Sequence, residues 1–224
     1  MEKIVVLSGA GMSAESGLKT FRDSDGLWEN HRIEDVATPE AWFKDPELVL
    51  KFYNERRKQV NESEPNNAHS ALARLESHYE VDIITQNIDD LHERSGAENV
   101  LHLHGKLRES KSVLDHSIYS IKDSDLNLGD LCPQGAQLRP NVVWFGEPVP
   151  KMDEAIELVL KADIFIIIGT SLNVYPAASL MNYVRDVERT ILIDPLAVSY
   201  DGVELLCSKA TKAVPKLVYE LLND

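Results

Sequence analysis

The 224-residue sequence predicts an α/β fold, a doubly wound parallel sheet with a smaller lobe formed by two insertions. Short apolar runs alternate with segments of helical period, which is the order that gives a parallel sheet covered by helices. Several runs are apolar throughout and therefore predict strands that are buried on both faces. A hydrophobic content of 43% is enough to form one core in a chain of this length, so we expect a single domain over residues 1–224.

Six apolar runs predict the strands, and three periodic segments predict the helices that cover them. The strands are expected at 4–7, 81–85, 100–103, 142–145, 164–168 and 190–194. The helices are expected at 66–79, 152–161 and 213–222, where apolar residues recur every three or four positions.

Two segments interrupt this alternation. The first, 19–61, contains the helix starts Thr38-Pro39 and Asp45-Pro46, in which a capping oxygen precedes a proline at the first helical position. The second, 106–139, is polar and lacks a regular period. We expect both to form a small lobe beside a nucleotide-binding lobe made of 1–18, 62–105 and 140–224.

Charge and cysteine content exclude several classes of function. A formal net charge of -14 argues against direct binding of nucleic acid and suits basic partners such as lysine-bearing peptides. No apolar run approaches the ~18 residues of a membrane span, and we expect no signal peptide before the first strand. The two cysteines, Cys132 and Cys207, form no disulfide framework, so we expect a cytoplasmic protein that does not bind membranes.

A glycine-rich turn, Gly9-Ala-Gly-Met-Ser-Ala-Glu-Ser-Gly17, directly follows the first predicted strand. Such a turn brings backbone N–H groups close to a phosphate, and a helix that begins there adds its positive end. The spacing is not that of the dinucleotide fingerprint, because Ala14 stands where a third glycine belongs. A turn that packs against the sheet and binds nothing is the alternative.

Further motifs lie along the chain in the order found in one known family. They are Thr20-Phe-Arg22, Gly26-Leu-Trp28, Gln86-Asn-Ile-Asp89, His104-Gly105, Val143-Trp-Phe-Gly-Glu147 and Gly169-Thr-Ser171. With the glycine-rich turn they closely resemble the sirtuins, which are Rossmann-like NAD-dependent protein deacylases. The resemblance covers nearly the whole chain.

The resemblance implies an NAD site made of several segments. The pyrophosphate would lie at Gly9, Ala10, Gly11 and Ser13, and Gly169, Thr170 and Ser171 would supply a second turn. Ala14 and Glu15 would also contact NAD. Phe21 would cover the reacting ribose, Arg22 would contact the phosphates, and Trp28 would line the same pocket. The nicotinamide pocket would be formed by Gln86, Asn87, Ile88 and Asp89. Asp194 would accept the adenosine ribose hydroxyls, in a position where the family usually has asparagine. Pro195, Leu196 and Ala210 would also contact NAD.

In the implied reaction the amide oxygen of an acylated lysine displaces nicotinamide. A ribose hydroxyl then attacks the resulting intermediate, and this step needs a general base. His104 matches the base of the family, and Asn87 is expected to share in catalysis. His102 lies two residues away on the same predicted strand and can face the same way. The remaining histidines are expected to be surface or structural residues: His31, His69, His78, His92 and His116.

Acyl specificity is predicted from the first insertion. Tyr53 and Arg56 are three residues apart, so they share one face of a helix. They resemble the sirtuin subgroup that removes succinyl, malonyl and related acidic groups, and the alternative is a surface tyrosine with a solvated arginine. Substrate backbone is expected to pair by strand addition with Val143, Trp144, Phe145, Gly146 and Glu147.

The second insertion departs from the family, where four cysteines hold zinc. Here 110–116 replaces the first pair and Cys132 stands alone, so we expect no zinc; a mixed set of Asp115, His116 and Cys132 is the alternative. The lobe would instead be held by apolar packing of Leu107, Val113, Leu114, Ile118, Tyr119, Ile121, Leu126, Leu128, Leu131 and Leu138.

We therefore expect a monomeric enzyme that uses NAD to remove succinyl, malonyl and also acetyl groups from protein lysine. Two other functions remain open from the sequence. One is mono-ADP-ribosyl transfer, which uses the same cofactor pocket. The other is a non-catalytic NAD-binding regulatory module.

Overall fold

The structure is a computed structural model that describes residues 1–18, 31–121, 124–184 and 186–223, and the backbone of 27 and 28. The strands are β1 (Lys3–Ser8), β2 (Leu27–Trp28), β3 (His31–Arg32), β4 (Glu80–Thr85), β5 (Val100–His102), β6 (Gly105–Ser112), β7 (Ile118–Ser120), β8 (Leu138–Val142), β9 (Ile164–Ile168), β10 (Arg189–Ile193) and β11 (Glu204–Leu206). The helices are α1 (Ala10–Ser13), α2 (Ile33–Val36), α3 (Pro39–Lys44), α4 (Pro46–Glu62), α5 (Asn67–Leu75), α6 (Leu91–Arg94), α7 (Met152–Val159) and α8 (Ala210–Leu221). Two 3₁₀ segments lie at Ala14–Ser16 and Ala177–Tyr183.

A six-stranded parallel sheet in the order β11-β10-β9-β1-β4-β5 confirms the predicted fold class. β1 and β9, the two central runs of apolar residues, are buried along almost their whole length. On one face β1, β4 and β9 pack under α5 and α8, and on the other they pack under α7 and the 3₁₀ segment Ala177–Tyr183. Burial on both faces explains why the strands show no polar alternation.

The strand predicted at 142–145 is wrong. The observed strand β8 ends at Val142 and belongs to a separate antiparallel sheet, β7-β6-β8, where Val142 pairs with Gly105. Beyond it the chain turns, because Gly146 has a φ of 91° and the Glu147 carboxylate accepts a hydrogen bond from the Trp144 amide at 2.9 Å. Strand β11 was not predicted either, since it is a half-exposed edge strand of three residues.

The helix starts in the first insertion are confirmed. The Thr38 hydroxyl accepts a hydrogen bond from the Ala41 amide at 3.1 Å, and the Asp45 carboxylate accepts one from the Leu48 amide at 3.0 Å. Each cap is followed by a proline at the start of α3 or α4. These side chains satisfy amides that have no partner in the first helical turn, so both helices begin where the sequence predicts.

Leucine packing does not hold the segment 106–139, contrary to the sequence-based expectation. Leu107 and Leu126 are buried and Tyr119, Ile121 and Leu138 are half-buried, whereas the remaining predicted side chains are largely exposed: Val113, Leu114, Ile118, Leu128 and Leu131. A small three-stranded sheet has too little covered surface to bury them all.

Hydrogen bonds from α4 fasten this segment instead. The fully buried Arg57 donates to the Leu107 carbonyl at 2.8 Å and to the Asn54 side-chain oxygen at 2.8 Å. Asn54 also donates to the Leu126 carbonyl at 3.0 Å and accepts from the Leu126 amide at 3.0 Å. A charged group that is buried in this way needs such partners, and here it links the helix to β6 and to the loop before β8.

No helix among the described residues has both the length and the apolar character that crossing a bilayer requires.

Gly105→Ala tests the close approach of β6 and β8. The residue has a φ of 82°, and an added Cβ would lie 2.0 Å from the Asn141 carbonyl oxygen, which is a backbone atom. We expect thermal or chemical unfolding to show a loss of at least ~2 kcal/mol. Gly129→Ala is the matched control, since its φ is 93° but nothing lies within 4 Å; it should lose only the ~1 kcal/mol of the backbone term. Equal losses would contradict the steric argument.

Candidate active site

The candidate site lies at the carboxyl edge of the large sheet. Connections from β1 lead to β4 on one side, while β9 and β10 lie on its other side, so the strand order reverses beside β1. Parallel sheets bind ligands in the crevice at such a reversal. The predicted glycine-rich turn follows β1, the predicted nicotinamide turn follows β4, and Gly169 follows β9.

The two glycine turns touch through their backbones. The Gly9 amide donates to the Ile168 carbonyl at 2.9 Å, and the Gly11 amide donates to the Gly169 carbonyl at 2.8 Å. A Cβ on Gly169 would meet the Met12 nitrogen at 2.4 Å, and one on Gly11 would meet the Gly169 Cα at 2.7 Å. Glycine is therefore required for packing here, and the Gly9 and Gly11 amides are committed to this contact. The helix α1 that follows is a single turn.

A chain of buried hydrogen bonds joins this turn to the segment after β4. Asn87 donates from Nδ2 to the Gly9 carbonyl and to the Ser13 hydroxyl, each at 3.1 Å. The Ser13 hydroxyl donates to the Asp89 carboxylate at 3.1 Å, and the Gln86 amide donates to the Thr170 hydroxyl at 3.2 Å. Burial raises the pKa of Asp89, and its bonds from Ser13 and the Leu91 amide oppose that rise.

His104 lies beside this segment in a defined tautomer. Its Nδ1 is 3.0 Å from the Gln86 carbonyl oxygen, and because a carbonyl only accepts, Nδ1 carries the proton. Nε2 of the neutral ring is then free of a proton. Burial lowers the pKa of His104, while the bond to Gln86 partly opposes this, so the neutral form is favoured.

His102 does not share the environment of His104. Its ring is buried between the Asn87 carbonyl and the Glu93 carboxylate. His69 and His92 are buried in edge-to-face contact, with ring centroids 4.9 Å apart, and both were expected to be surface or structural residues. Burial lowers the pKa of His69 to about 4 and, with a smaller contribution from His69, that of His92 to about 3.

The structure describes some of the remaining predicted cofactor residues. Asp194 is buried directly after β10 and accepts from the Leu196 amide at 2.9 Å, and Ala210 is buried at the start of α8. Glu15 is exposed and bonded to Thr211, and the Leu196 side chain is largely exposed. The structure places Ile88 in the apolar cluster under α4. Phe21, Arg22 and the side chain of Trp28 lie outside the described residues.

Tyr53 and Arg56 are both buried on α4, so the alternative of a surface tyrosine with a solvated arginine is wrong. Trp144 donates from its indole Nε1 to the Tyr53 hydroxyl oxygen at 3.0 Å. Burial raises the pKa of Tyr53, with the Trp144 bond and the nearby charges of Arg139 and Arg56 opposing the rise. Arg56 donates from Nη1 to the Gln59 side chain at 2.9 Å.

Arg139 organises the loop 143–147, a role that the sequence did not indicate. Its guanidinium lies 3.8 Å from the centre of a Trp144 ring and bonds the Glu147 carboxylate at 2.5 Å. The loop amides are also committed: Val143 donates to the His104 carbonyl at 2.9 Å and Phe145 to the Ala37 carbonyl at 3.0 Å. No local signal marks Arg139, because its partner lies eight residues away across a turn.

Cys132 is held by hydrogen bonds. Its sulfur accepts from the Ser112 hydroxyl and from the Ala136 amide, each at 3.4 Å, and the Ser112 bond is the main cause of a lowered thiol pKa. Within the described ranges, no group of three or more His, Cys, Asp or Glu side chains has an arrangement that could hold a metal ion. The absence of zinc remains a prediction.

Comparison with known proteins gives consistent matches. The Sir2 family model matches residues 9–176. A Helicobacter pylori protein named NAD-dependent protein deacylase is 52% identical over 226 residues, which cover 100% of this chain and 99% of the relative. A Bacteroides thetaiotaomicron protein of the same name is also 52% identical over 226 residues, covering 97% of each chain. A solved Sir2 homolog in complex with NAD has a TM-score of 0.88 and 42% identity, covering 99% of this chain and 90% of that one.

Elemental analysis tests the zinc prediction. We expect substoichiometric zinc and an unchanged melting temperature after chelator treatment, because the Cys132 sulfur is held by Ser112 and Ala136 and a single thiolate does not make a structural zinc site. Cys132→Ser should shift the melting temperature slightly, and exposed Cys207→Ser is the control that should not shift it. Stoichiometric zinc whose removal lowers the melting temperature would contradict the prediction, and Asp115 and His116 would then be tested as ligands.

Proposed function

The chain belongs to the Sir2 family, and we propose that this member prefers lysines carrying succinyl or malonyl groups, with acetyl lysine as a further substrate. It is an NAD-dependent protein-lysine deacylase, the activity named for relatives at 52% identity. The observation that supports the acyl preference is the buried pair Tyr53 and Arg56 on α4. We further propose that it acts as a cytoplasmic monomer.

The residues at the sheet edge fit a bound NAD. The glycine turns after β1 and β9 pack backbone against backbone, and Asn87, Ser13 and Asp89 form a preassembled set of buried polar groups beside them. We place the nicotinamide end at Gln86–Asp89 and the adenosine end at Asp194. When bound, NAD supplies an electrophilic ribose carbon with nicotinamide as the leaving group.

His104 would serve as the general base. Its Nδ1 proton is engaged by the Gln86 carbonyl, so Nε2 is the atom that takes a proton from a ribose hydroxyl. A fixed tautomer and a lowered pKa keep that nitrogen ready near neutral pH. ADP-ribosyl transfer to a protein nucleophile has no comparable need for a base at the ribose, and this favours deacylation.

The acyl pocket would recognise a carboxylate through two groups. An indole N–H only donates, so the Tyr53 oxygen accepts in its contact with Trp144. Burial keeps that phenol protonated, as a hydrogen-bond donor. Arg56 adds a buried positive charge one helical turn away, and a guanidinium forms charge-assisted hydrogen bonds with a carboxylate.

Substrate backbone would lie along 143–147. Because the Val143, Trp144 and Phe145 amides already donate within the protein, we propose that the peptide pairs mainly with carbonyl groups of this loop. Arg139 and Glu147 hold the loop in place against Trp144, which also contacts Tyr53. The Trp144 indole thus contacts both the loop proposed to bind the peptide and the proposed acyl pocket.

His104→Ala should leave NAD affinity nearly intact and reduce deacylation by about 10²- to 10⁴-fold, because the base acts after NAD is bound. Mass spectrometry of the acyl peptide measures deacylation, and calorimetry measures NAD binding. His78→Ala, on the surface, is the control. Full turnover by the His104 variant would refute the assignment.

The pH profile of kcat/KM provides a separate test. The base works only when neutral, and burial lowers its pKa, so activity should persist at pH values below the ordinary histidine value of about 6.5. Activity should fall only on further acidification. An acid limb centred above 6.5 would contradict a buried, neutral His104.

Arg56→Met should reduce succinyl and malonyl activity far more than acetyl activity, since only the acidic chains present a carboxylate. The expected difference is on the order of 2–4 kcal/mol in transition-state stabilisation. Tyr53→Phe should act in the same direction with a smaller effect, and exposed Arg74→Met is the control. Mass spectrometry of matched acetyl, malonyl and succinyl peptides measures the activity of each variant on each acyl group. Equal losses of activity on all three peptides in Arg56→Met would place Arg56 outside the acyl pocket.

A further inference from the structure

Two histidines form hydrogen bonds with two successive carbonyl groups of the segment after β4. His104 Nδ1 lies 3.0 Å from the Gln86 carbonyl oxygen, and His102 Nδ1 lies 3.0 Å from the Asn87 carbonyl oxygen. Both carbonyls only accept, so both Nδ1 atoms donate. The backbone at the proposed nicotinamide end is therefore fixed from one side by a pair of rings.

His102 differs from His104 in what its second nitrogen meets. Nε2 lies 2.9 Å from the Glu93 carboxylate, and the side chain is only 4% exposed. A carboxylate also only accepts, so the ring of His102 must donate from both nitrogens and carries a positive charge. Although burial raises the pKa of Glu93, the bonds from His102 and Lys106 lower it to about 2, which keeps this carboxylate ionised.

We propose that His102 is a positioning residue for the deacylase: protonated on both nitrogens, it ties the Asn87 carbonyl to Glu93 and so fixes the turn that receives nicotinamide. The inference rests on the placement of NAD given above. Asn87 in turn bonds Gly9 and Ser13, and Ser13 bonds Asp89. Without the His102 contact, this series of hydrogen bonds would no longer be attached to the strand β5.

Charged and titratable groups around the ring fit this role. Glu93 on α6 receives both His102 and Lys106, the latter at 3.0 Å. The charge of His102 also acts on Asp89, where it opposes the rise in pKa that burial causes. Asp90 and His92 are the other titratable groups on this side. A cation here thus neutralises Glu93 and favours an ionised Asp89.

Nuclear magnetic resonance of the imidazole nitrogens tests the protonation state directly. At neutral pH both His102 nitrogens should resonate in the protonated range, whereas His104 should show one protonated and one unprotonated nitrogen. An unprotonated nitrogen in His102 would overturn the inference.

Kinetics test the positioning role. His102→Ala should raise the KM for NAD by about 10- to 100-fold, the effect of losing a charge-assisted hydrogen bond, and leave the KM for peptide nearly unchanged. His102→Gln, which restores one neutral N–H donor, should recover part of that loss. His78→Ala is the surface control.

A double variant separates positioning from stability. In His102→Ala the half-buried Glu93 carboxylate keeps only Lys106 as a partner, so this variant should have a lower melting temperature. Adding Glu93→Gln should restore the melting temperature, while the KM for NAD stays high. Recovery of the KM together with stability would overturn the inference. Asn87→Ala shows which of the two proposals fails. If Asn87→Ala leaves the KM for NAD unchanged, the placement of NAD itself is overturned. If Asn87→Ala raises the KM for NAD but the His102 variants keep the wild-type KM, only the role of His102 is overturned.

Discussion

Backbone contact between the glycine turns after β1 and β9 is the constraint on which the site depends. Gly11 and Gly169 approach so closely that a Cβ on either would meet backbone atoms at 2.7 Å or less. The contact closes the sheet edge where the strand order reverses, and it orients the Gly9 carbonyl toward Asn87. From there the hydrogen bonds of Ser13 and Asp89 follow, so a packing requirement and a binding site share the same residues.

Polar groups that are buried under this contact determine the chemistry. His104 is limited to one tautomer by a carbonyl, and His102 is limited to the cation by a carbonyl and a carboxylate. Each proton position follows from the acceptor that the ring nitrogen faces. The two histidines are only two residues apart in sequence, yet we infer different charges and different roles for them, His104 as the general base and His102 as a positioning residue.

Helix α4 connects the small sheet to the acyl side of the site. One face carries Arg57 and Asn54, which fasten the helix to β6 and to Leu126, and another carries Tyr53 and Arg56. Trp144 bonds Tyr53 and stacks under Arg139, so the loop 143–147 is held by the same helix. Hydrogen bonds from the buried Arg57 and Asn54 thus fasten the segment 106–139 to the rest of the protein.

The sequence by itself determined the parallel sheet, the capped starts of α3 and α4, the glycine turn and the segments around Gln86 and His104, because periodicity, capping and tight turns are local properties. Only the tertiary structure decided that β8 joins a second sheet, that Leu131 is exposed, that Arg139 holds Trp144, and that His102 faces Glu93. Those outcomes depend on partners distant in the chain: Trp144 and Tyr53 are 91 residues apart, and Asn87 and Gly9 are 78 apart. A residue's own neighbours in sequence carry no information about which of these groups it will meet once the chain is folded.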